Sequence, residues 1–397
     1  MLSDTARPII EATLPLVGSR IGEITPLFYQ KMFAAHPELL DGMFSRANQA
    51  NGEQRKALAG AIAAFATHLV QNPGTLPEAV LARIAHKHAS LGITPDMYEI
   101  VYKYLFEAIA ENLGDAVTPE VAAAWSEVYW LMAEALMKIE SGLYARQANN
   151  VMWAPWKVVD KKASSATTVT FVLEPADDTP VTPGQPGQFM SVRVPVEDGL
   201  LQVRQYSLSA DAESTERRVF TTKYNDGGEV SPILHERVNV GDVIELSNPY
   251  GDVTLDDNDG PLVLASAGIG CTPSASILRS LANAGSDREV LVLHAERSLE
   301  AWALSDQMLG DIEKIDDAEL HLWLQQPASG PIEGATEARE GYMSLSDVDV
   351  PADANLYLCG PLGFMQKIRS EAIALGIPAQ RIHYEVFGPD LWLASAS

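Results

Sequence analysis

The sequence predicts three successive domains: an all-α domain, a small antiparallel β-barrel, and an α/β domain built on a parallel sheet. Three changes of pattern predict this order. Apolar residues recur at helical spacing over residues 1–148, two-residue alternation follows over 151–258, and buried-strand runs with glycine turns occupy 260–397. A chain of 397 residues is long enough for two or three domains.

Composition argues against several classes of protein. A formal net charge of -25 disfavours nucleic-acid partners and anionic membranes. Two cysteines, Cys271 and Cys359, are too few for a disulfide framework or a cysteine metal cluster. The first residues lack the pattern of a signal peptide, and no apolar run approaches the roughly 18 residues that span a bilayer. We therefore expect a soluble, cytoplasmic monomer without nucleic-acid partners or stable membrane association.

Threonine–proline pairs predict where helices begin in the first domain. Thr25-Pro26, Thr94-Pro95 and Thr118-Pro119 each place an N-cap residue before a proline at the first helical position. We expect a helix to start after each pair.

The segment from Pro77 to Ser90 carries the first candidate ligand. One apolar face of this predicted helix contains Val80, Leu81, Ile84, His88 and Leu91. His88 therefore points inward, whereas His86 falls on the outer side with Ser90. A lone inward histidine is more often a satisfied core residue than a ligand.

Other inward polar residues favour a site over a core histidine. Gln54 stands at the head of an apolar stripe, Tyr29 lies beside Met32, and Glu140 lies at the edge of the stripe on the last long helix. Each has a structural explanation by itself. Together with His88 they supply a metal ligand, a carboxylate to orient it, and a Tyr/Gln pair of hydrogen-bonding groups.

These residues resemble a globin, and more narrowly the globin part of bacterial flavohaemoglobins. The matching stretches are Phe28–Phe33, Asn48–Arg55, Ile84–His88 and Tyr98–Val101. The resemblance implies a haem b whose iron is bound by His88. It also implies the haem-site residues Tyr29, Phe44, Gln54, Leu58, Lys87, Tyr98 and Glu140. Of these, Tyr29, Gln54 and Leu58 are distal, Phe44 wedges the haem, and Tyr98 and Glu140 are proximal hydrogen-bond partners.

The second domain contains Arg204–Ser209 on a predicted strand, a stretch that could hold a phosphate and a flat heterocycle, although an isolated R-x-Y-S is more often an ordinary strand with a polar edge. Arginine offers a planar fork to phosphate, tyrosine can pack on a flat heterocycle, and serine can bond a ring nitrogen or carbonyl. A second signal follows at Gly227–Ser231. If a helix begins near Val230, its free N–H groups would bind an anion, although an isolated Gly-Gly is more often a hairpin turn.

The two motifs together resemble the FAD-binding domain of the ferredoxin–NADP reductase family, and Pro186–Phe189 matches the motif one strand earlier. The resemblance implies that Tyr206 packs on the isoalloxazine, Ser207 bonds the flavin ring, and Arg204 with Ser231 holds the pyrophosphate. The flavin-binding set is Arg204, Gln205, Tyr206, Ser207, Gly228, Val230 and Ser231.

The third domain begins with a buried strand pattern, Pro261–Ala267, followed by Gly268–Pro273 and a helical pattern. Strand, glycine turn and helix in that order form a phosphate cradle, although G-x-G-x-x-P is weak as a bare motif. Leu356–Pro361 supplies another strand end followed by a helix. We expect both glycine-bearing ends on one rim of the sheet.

The pair G-x-G-x-T-P and C-G-P resembles the nucleotide half of the same reductase family. The resemblance implies that NAD(P)H is approached by Gly268, Gly270, Thr272, Pro273, Cys359 and Gly360. Cys271 stands where many relatives carry Gln and has no assigned role. The terminal segment His383–Pro389 also matches flavohaemoglobins, near the flavin, through Glu385, Phe387 and Gly388.

The preferred nicotinamide nucleotide stays open between two adjacent residues. Glu296 could bond a ribose hydroxyl, whereas Arg297 could bind a 2′-phosphate. We expect NADH because it is usual in the family.

The resemblance to flavohaemoglobins implies nitric oxide dioxygenation for nitric oxide detoxification, with NAD(P)H, dioxygen and nitric oxide giving nitrate through FAD and haem. Nitric oxide and dioxygen are then its small-molecule partners. Two alternatives remain: a haem and flavin reductase of alkyl or lipid hydroperoxides, and a globin that stores or senses oxygen or nitric oxide.

Overall fold

A computed structural model of the chain describes residues 1–44, 46, 49 and 52–388. Asn48, Ala50 and Asn51 of the first globin-like stretch lie outside these residues, as does Pro389. The described residues form two compact units, each considered by itself. The first comprises 1–152 with 195–203 and 388, and the second comprises 153–194 with 204–387.

The first unit is helical, as expected for the first domain. Its described α-helices are α1 (Ala6–Ala35), α2 (Glu53–Gln71), α3 (Glu78–Leu91), α4 (Pro95–Leu113) and α5 (Pro119–Ala145). One core cluster packs Phe28, Tyr29 and Met32 of α1 against Tyr104 and Leu105 of α4. This cluster places Tyr29 inside the unit.

The expected helix start at Thr25-Pro26 is wrong, because α1 continues through Pro15 and Pro26. Thr25 does not cap a new helix; its hydroxyl donates to the Ile21 carbonyl at 3.0 Å. The lost proline hydrogen bond is outweighed by burial of the apolar residues around it. The other two helices do begin at Pro95 and Pro119.

The outer face expected for α3 also needs correction. Ser90 is fully buried and donates its hydroxyl to the Lys87 carbonyl at 2.8 Å. His86 is half-buried rather than exposed. The most buried line of α3 runs through Leu81, Ala85 and Ala89, which leaves His88 half-buried at its border.

The second unit begins with the expected antiparallel barrel. Its strands are β1 (Ala154–Ser165), β2 (Thr168–Pro175), β3 (Phe189–Pro195), β4 (Leu201–Ala210), β5 (Arg218–Lys223) and β6 (Val243–Leu246). They close in the order β1-β2-β5-β4-β3-β6. A short helix, α6 (Val230–Glu236), follows β5.

An interruption in the β4–β5 ladder affects the arrangement of the strand that carries Arg204. Leu208 pairs with Phe220, and Ala210 pairs with the next residue, Val219. Ser209 is therefore the extra residue of a β-bulge, which bends and twists its strand.

The rest of the second unit is the expected α/β domain. Its strands are β7 (Leu262–Ala267), β8 (Val290–Glu296), β9 (Ala318–Leu324), β10 (Glu337–Glu340), β11 (Asn355–Cys359) and β12 (Ile382–Glu385). The parallel sheet has the order β10-β9-β8-β7-β11-β12. The accompanying helices are α7 (Cys271–Ala284), α8 (Ser305–Ile312) and α9 (Leu362–Ala374). None of the described helices has the length and hydropathy of a membrane span.

Gly187 is expected to be irreplaceable in the turn before β3. Its φ is 99°, and a Cβ there would collide with the Val253 carbonyl oxygen. We expect Gly187→Ala to destabilise the barrel by more than ~1 kcal/mol, measured by scanning calorimetry. The control is Gly22→Ala on the exposed surface of α1, where a Cβ meets nothing within 4 Å. That variant should be stabilised by up to ~1 kcal/mol, and equal responses of the two variants would refute the steric explanation.

Candidate functional site

Three helices of the first unit bring His88, Tyr98 and Glu140 together. His88 Nδ1 lies 2.9 Å from Glu140 Oε1 and 3.0 Å from the Tyr98 hydroxyl. The Tyr98 hydroxyl donates to the same Glu140 oxygen at 2.6 Å. The sequence predicted these three residues as neighbours, and the structure brings them into one hydrogen-bonded triad.

The triad determines which nitrogen of His88 is available. A carboxylate only accepts hydrogen bonds, so Nδ1 carries the proton that it shares with Glu140. Nε2 then keeps its lone pair, and it makes no hydrogen bond within the described part of the chain. Glu140 is 3% exposed, and a buried carboxylate needs these donors.

Tyr98 holds its proton firmly. Burial, reinforced by the neighbouring Glu140 charge, raises the pKa of Tyr98 far above its usual value. Its hydroxyl therefore remains a donor to Glu140 at physiological pH. Tyr129 supports this arrangement by donating its hydroxyl to the Tyr98 carbonyl at 2.6 Å.

Tyr29 and Gln54 form a second polar group, with Gln49 as an additional member. Gln49 Nε2 donates to Gln54 Oε1 at 2.9 Å, and Arg55 Nη2 donates to the Gln49 carbonyl at 2.9 Å. Burial raises the pKa of Tyr29 well above its usual value, and hydrogen bonding to Gln49 and Gln54 only partly opposes this effect. The Tyr29 phenol is therefore a protonated donor.

Aromatic and aliphatic side chains surround the Tyr29 phenol. Phe44 meets the Tyr29 ring edge-on with centroids 6.1 Å apart, and it also contacts Phe33. Phe44 and Leu58 pack against the core cluster yet stay only half-buried. A flat apolar group would complete their burial.

These residues fit a haem. The donor set is a neutral imidazole whose Nδ1–H is bound by a carboxylate, the arrangement that orients and strengthens a metal-bound histidine. The side chain of His88 keeps 32% exposure although Glu140 and Tyr98 hold one of its nitrogens. Lys87, the neighbouring predicted residue, donates from Nζ to the carbonyl of Gly388, another predicted residue.

In the second unit, Arg204, Gln205, Tyr206 and Ser207 lie on β4, as expected. Tyr206 stacks on Phe220 with ring centroids 5.2 Å apart, and burial raises its pKa. Burial lowers the pKa of Arg204, whereas the negative charge of Glu229 favours its charged form. Gln205 Nε2 donates to the Ser191 hydroxyl at 3.0 Å, so it supports the strand from within the barrel.

Ser207 gives the clearest indication that a ligand belongs on this strand. Its hydroxyl oxygen is buried and has no hydrogen-bond partner among the described residues. A buried hydroxyl without a partner costs free energy, and a flavin ring offers nitrogen and carbonyl acceptors for it. The residues of β4 therefore fit an FAD.

The Gly-Gly motif ends where α6 begins. The backbone N–H of Gly228 donates to the Asn225 carbonyl at 2.9 Å, and α6 starts at Val230 as expected. The Ser231 hydroxyl accepts from the Asn225 backbone N–H at 3.0 Å. Ser231 thus stabilises the turn and still has a proton to donate.

The two glycine-bearing strand ends of the third domain meet on one rim, as expected. Cys359 of β11 pairs with Ser266 of β7, and a Cβ on Gly270 would collide with the Cys359 carbonyl oxygen. Gly268, Gly270 and Gly360 therefore belong to one backbone surface. Thr272 and Pro273 follow in the first turn of α7, both buried.

Both cysteines of this rim are buried as free thiols. Burial raises the pKa of Cys359 well above its usual value and that of Cys271 to about 12. Cys271 Sγ lies 3.4 Å from the Ala303 carbonyl, to which it donates. Cys359 is 3% exposed and pairs in register with Glu385 of β12, whereas Phe387 beyond that strand is 46% exposed.

Sequence reasoning missed two residues of the haem site. Gln49 lay inside a matched stretch, but helical spacing could not be continued from Glu53 back to it, since α2 begins at Glu53. Tyr129 lies on α5 and donates its hydroxyl to the Tyr98 carbonyl of α4. Its role depends on a contact with α4 that no spacing on α5 indicates.

Fold and sites together define an oxidoreductase that joins a haem-binding helical domain to a flavin and nicotinamide-nucleotide reductase module. The globin family model matches residues 27–136, and the oxidoreductase FAD-binding domain model matches residues 155–255. A flavohaemoprotein of Chromobacterium violaceum is 41% identical over 403 residues, covering 98% of each chain.

The chain belongs to the flavohaemoprotein family. It is similar to the crystal structure of a flavohaemoglobin from Malassezia yamatoensis with bound FAD and haem, with a TM-score of 0.92, 44% identity, and coverage of 98% and 100% of the two chains. It is also similar to the FAD/NAD-binding domain of a nitric oxide dioxygenase from Vibrio cholerae, with a TM-score of 0.55 and 34% identity over 60% of this chain and all of that one. The expected family, fold class and cofactors are confirmed.

His88→Ala should abolish haem binding while FAD stays bound, because only the imidazole offers a metal ligand held by Glu140. The Soret band and the FAD content of purified protein measure the two outcomes. His86→Ala, changed two positions away, is the matched control and should keep both. An unchanged Soret band in His88→Ala would remove His88 as the ligand.

Proposed function

We propose that this chain is a nitric oxide dioxygenase that converts nitric oxide and dioxygen to nitrate at the expense of NAD(P)H. Conversion of one nitric oxide and one dioxygen to nitrate takes up one electron. Because NAD(P)H supplies two electrons, one NAD(P)H supports two turnovers. The observation that carries the proposal is the hydrogen-bonded Glu140–Tyr98–His88 triad together with the Tyr29 phenol.

Glu140 sets the proximal chemistry. By accepting the Nδ1–H of His88, it gives the imidazole partial imidazolate character and makes Nε2 a stronger donor to iron. Strong donation favours reactions of bound dioxygen over reversible storage. Tyr98 holds the same carboxylate oxygen, which keeps Glu140 in place.

Tyr29 sets the distal chemistry. Its pKa is raised by burial, so the phenol stays protonated and donates to a partly negative oxygen. The side-chain amides of Gln49 and Gln54 are hydrogen-bonded to each other, and this restricts their movement near the Tyr29 phenol.

The reductase part supplies electrons. An FAD held on β4 would supply the chemistry that links a two-electron hydride donor to a one-electron haem acceptor. Tyr206 and Ser207 hold the flavin ring, and Arg204 holds its pyrophosphate with Ser231. These roles are supported by the orphaned Ser207 hydroxyl and by the partly desolvated Arg204 cation.

We propose NADH as the preferred donor. Glu296 Oε1 accepts from the Arg297 backbone N–H at 2.8 Å, which holds the carboxylate at the end of β8. Its other oxygen faces Gly268 of the glycine turn. A carboxylate there accepts from ribose hydroxyls and repels a 2′-phosphate.

We take residues 1–148, 151–258 and 260–397 as the haem, flavin and nicotinamide domains. Residues 195–203 pack with the helical unit, but they lead directly into Arg204 on β4 and are assigned to the flavin domain. A monomer in the cytoplasm with nitric oxide and dioxygen as partners is the simplest form of this function. Light scattering after size-exclusion chromatography tests the monomer.

Nitric oxide consumption in air is the direct test. With NADH we expect rapid, catalytic nitrate formation, two nitrates for each NADH, and a lower kcat/KM with NADPH. A nitric oxide electrode measures the rate with each nucleotide, and a nitrate assay measures the nitrate formed for each NADH. A carboxylate-held histidine also suits cleavage of an O–O bond, so an alkyl hydroperoxide is compared under anaerobic NADH. Faster turnover of the hydroperoxide than of nitric oxide would contradict the proposal. Nitrate formation that stops after a single turnover of the protein would also contradict it.

Tyr29→Phe should speed dioxygen dissociation about tenfold to a hundredfold, because it removes one hydrogen bond to a charged group of roughly 1.5–3 kcal/mol. Stopped-flow displacement of dioxygen by carbon monoxide measures the rate. Tyr144→Phe is the control, since the Tyr144 hydroxyl donates to the Ile93 carbonyl at 2.9 Å. A dissociation rate in Tyr29→Phe equal to that of the control would exclude Tyr29 from the distal site.

A further inference from the structure

The flavin barrel and the α/β domain of the second unit are joined by a set of side-chain and backbone contacts that we call the seam. Its members on the barrel are Ser164, Ser209, Asp211 and Glu213, and those on the α/β domain are Arg279, Ser280, Leu304 and Gln307. Ser209 is the last residue of the Arg204–Ser209 stretch, and the other members lie outside the haem, flavin and nicotinamide sites described above.

The seam contains both of the described non-glycine residues whose backbone conformation is strained. Asp211 has a φ of 44° and Leu304 a φ of 61°, and no other non-glycine residue among those described has a positive φ. L-residues adopt this conformation only where their surroundings enforce it, and such positions concentrate at functional sites. Leu304 is enforced from the barrel, since its backbone N–H donates to the Ser164 hydroxyl at 2.8 Å.

Gln307 makes the contact nearest to the flavin strand. Its Nε2 donates to the Ser209 carbonyl at 2.8 Å. Ser209 is the extra residue of the β-bulge, and it lies two positions after Ser207. A residue of the nicotinamide domain therefore binds a backbone carbonyl at the point where the strand carrying Tyr206 and Ser207 bends.

One face of α8 secures both strained parts of the seam. Asp311 is one helical turn after Gln307, is 1% exposed, and accepts from Arg279 Nε at 2.8 and 2.9 Å. Arg279 in turn reaches Asp211, with 3.8 Å between Nη1 and Oδ1. Because α8 begins at Ser305, directly after Leu304, movement of this helix would disturb the contacts of Leu304, Gln307 and Asp311.

We propose that Gln307 is a positioning residue for hydride transfer. Its hydrogen bond to the Ser209 carbonyl holds the flavin strand in position against the nicotinamide rim. The inference rests on the part of the proposed function in which a nicotinamide reduces FAD. In that step one hydride, carrying two electrons and a proton, leaves the nicotinamide and enters the flavin, with no further reactant. Its rate is sensitive to placement, since an error of about 1 Å costs on the order of a hundredfold.

The test compares Gln307→Leu and Gln307→Glu with wild-type holoenzyme. Both variants lose the donor to the Ser209 carbonyl, and the second keeps the size of the side chain. Anaerobic stopped-flow mixing with NADH should show a limiting rate of flavin reduction that is about tenfold to a hundredfold lower, at an unchanged half-saturating NADH concentration. FAD content and haem spectrum should stay at wild-type values.

Two further measurements separate positioning from general stability. Hydrogen exchange should be about tenfold faster in peptides covering Ser209–Asp211 of both variants, with no change in the helical unit. The absorbance of the charge-transfer complex between nicotinamide and flavin should weaken. Gln380→Leu, an exposed glutamine in the same domain, is the matched control and should change none of these quantities.

Limiting rates within twofold of wild type would overturn the inference, as would a fall that merely follows lost FAD or weaker NADH binding. The outcome is independent of nitric oxide. Slow flavin reduction in the variants, beside a wild type that NADH reduces rapidly but that consumes no nitric oxide, would support the seam and refute the dioxygenase. A wild-type flavin that NADH does not reduce would overturn both.

Discussion

The hydrogen bond between His88 and Glu140 is the interaction on which the haem site depends. Its members come from α3 and α5, and Tyr98 of α4 completes it, so three helices must be packed before the triad exists. Each member constrains the next. The buried carboxylate needs two donors, the donors determine the tautomer of the imidazole, and the tautomer determines which nitrogen faces a metal. The proposed ligand is thus a product of the tertiary packing of the helical unit.

In the second unit, the informative polar group is one that lacks a hydrogen-bond partner among the described residues. Its barrel leaves the buried hydroxyl of Ser207 without a partner, so the strand is complete only when a ligand supplies one. Neighbouring polar groups are satisfied within the protein, as Gln205 is by Ser191. The contrast between a satisfied neighbour and an unsatisfied serine distinguishes a residue that supports the strand from one that faces a cofactor. The two cysteines of the nicotinamide rim are also buried, and burial raises the pKa of both thiols.

The seam adds a requirement for the relative placement of two domains, which is not evident from either cofactor site alone. FAD and the nicotinamide nucleotide are bound by different domains, so a reaction between them needs those domains in register. Strained backbones at Asp211 and Leu304, and the bulge at Ser209, lie where the two domains meet. Conformational strain is retained where the surroundings over-determine it, and here the surrounding contacts cross from one domain to the other.

The sequence by itself determined the order of the three domains and the positions of the glycine turns, because helical spacing, strand alternation and short motifs are local properties. It also named His88, Tyr98 and Glu140, which the structure brings into one hydrogen-bonded triad. It failed where distant packing overrides local preference. Pro26 does not begin a helix, since burial around Thr25 and Phe28 carries α1 through it, and Ser90 is buried rather than outward. Only the tertiary structure decided that Gln49 bonds Gln54, that Tyr129 bonds Tyr98 and that Gln307 meets Ser209. These contacts join residues far apart in the chain or separated by a break in helical spacing.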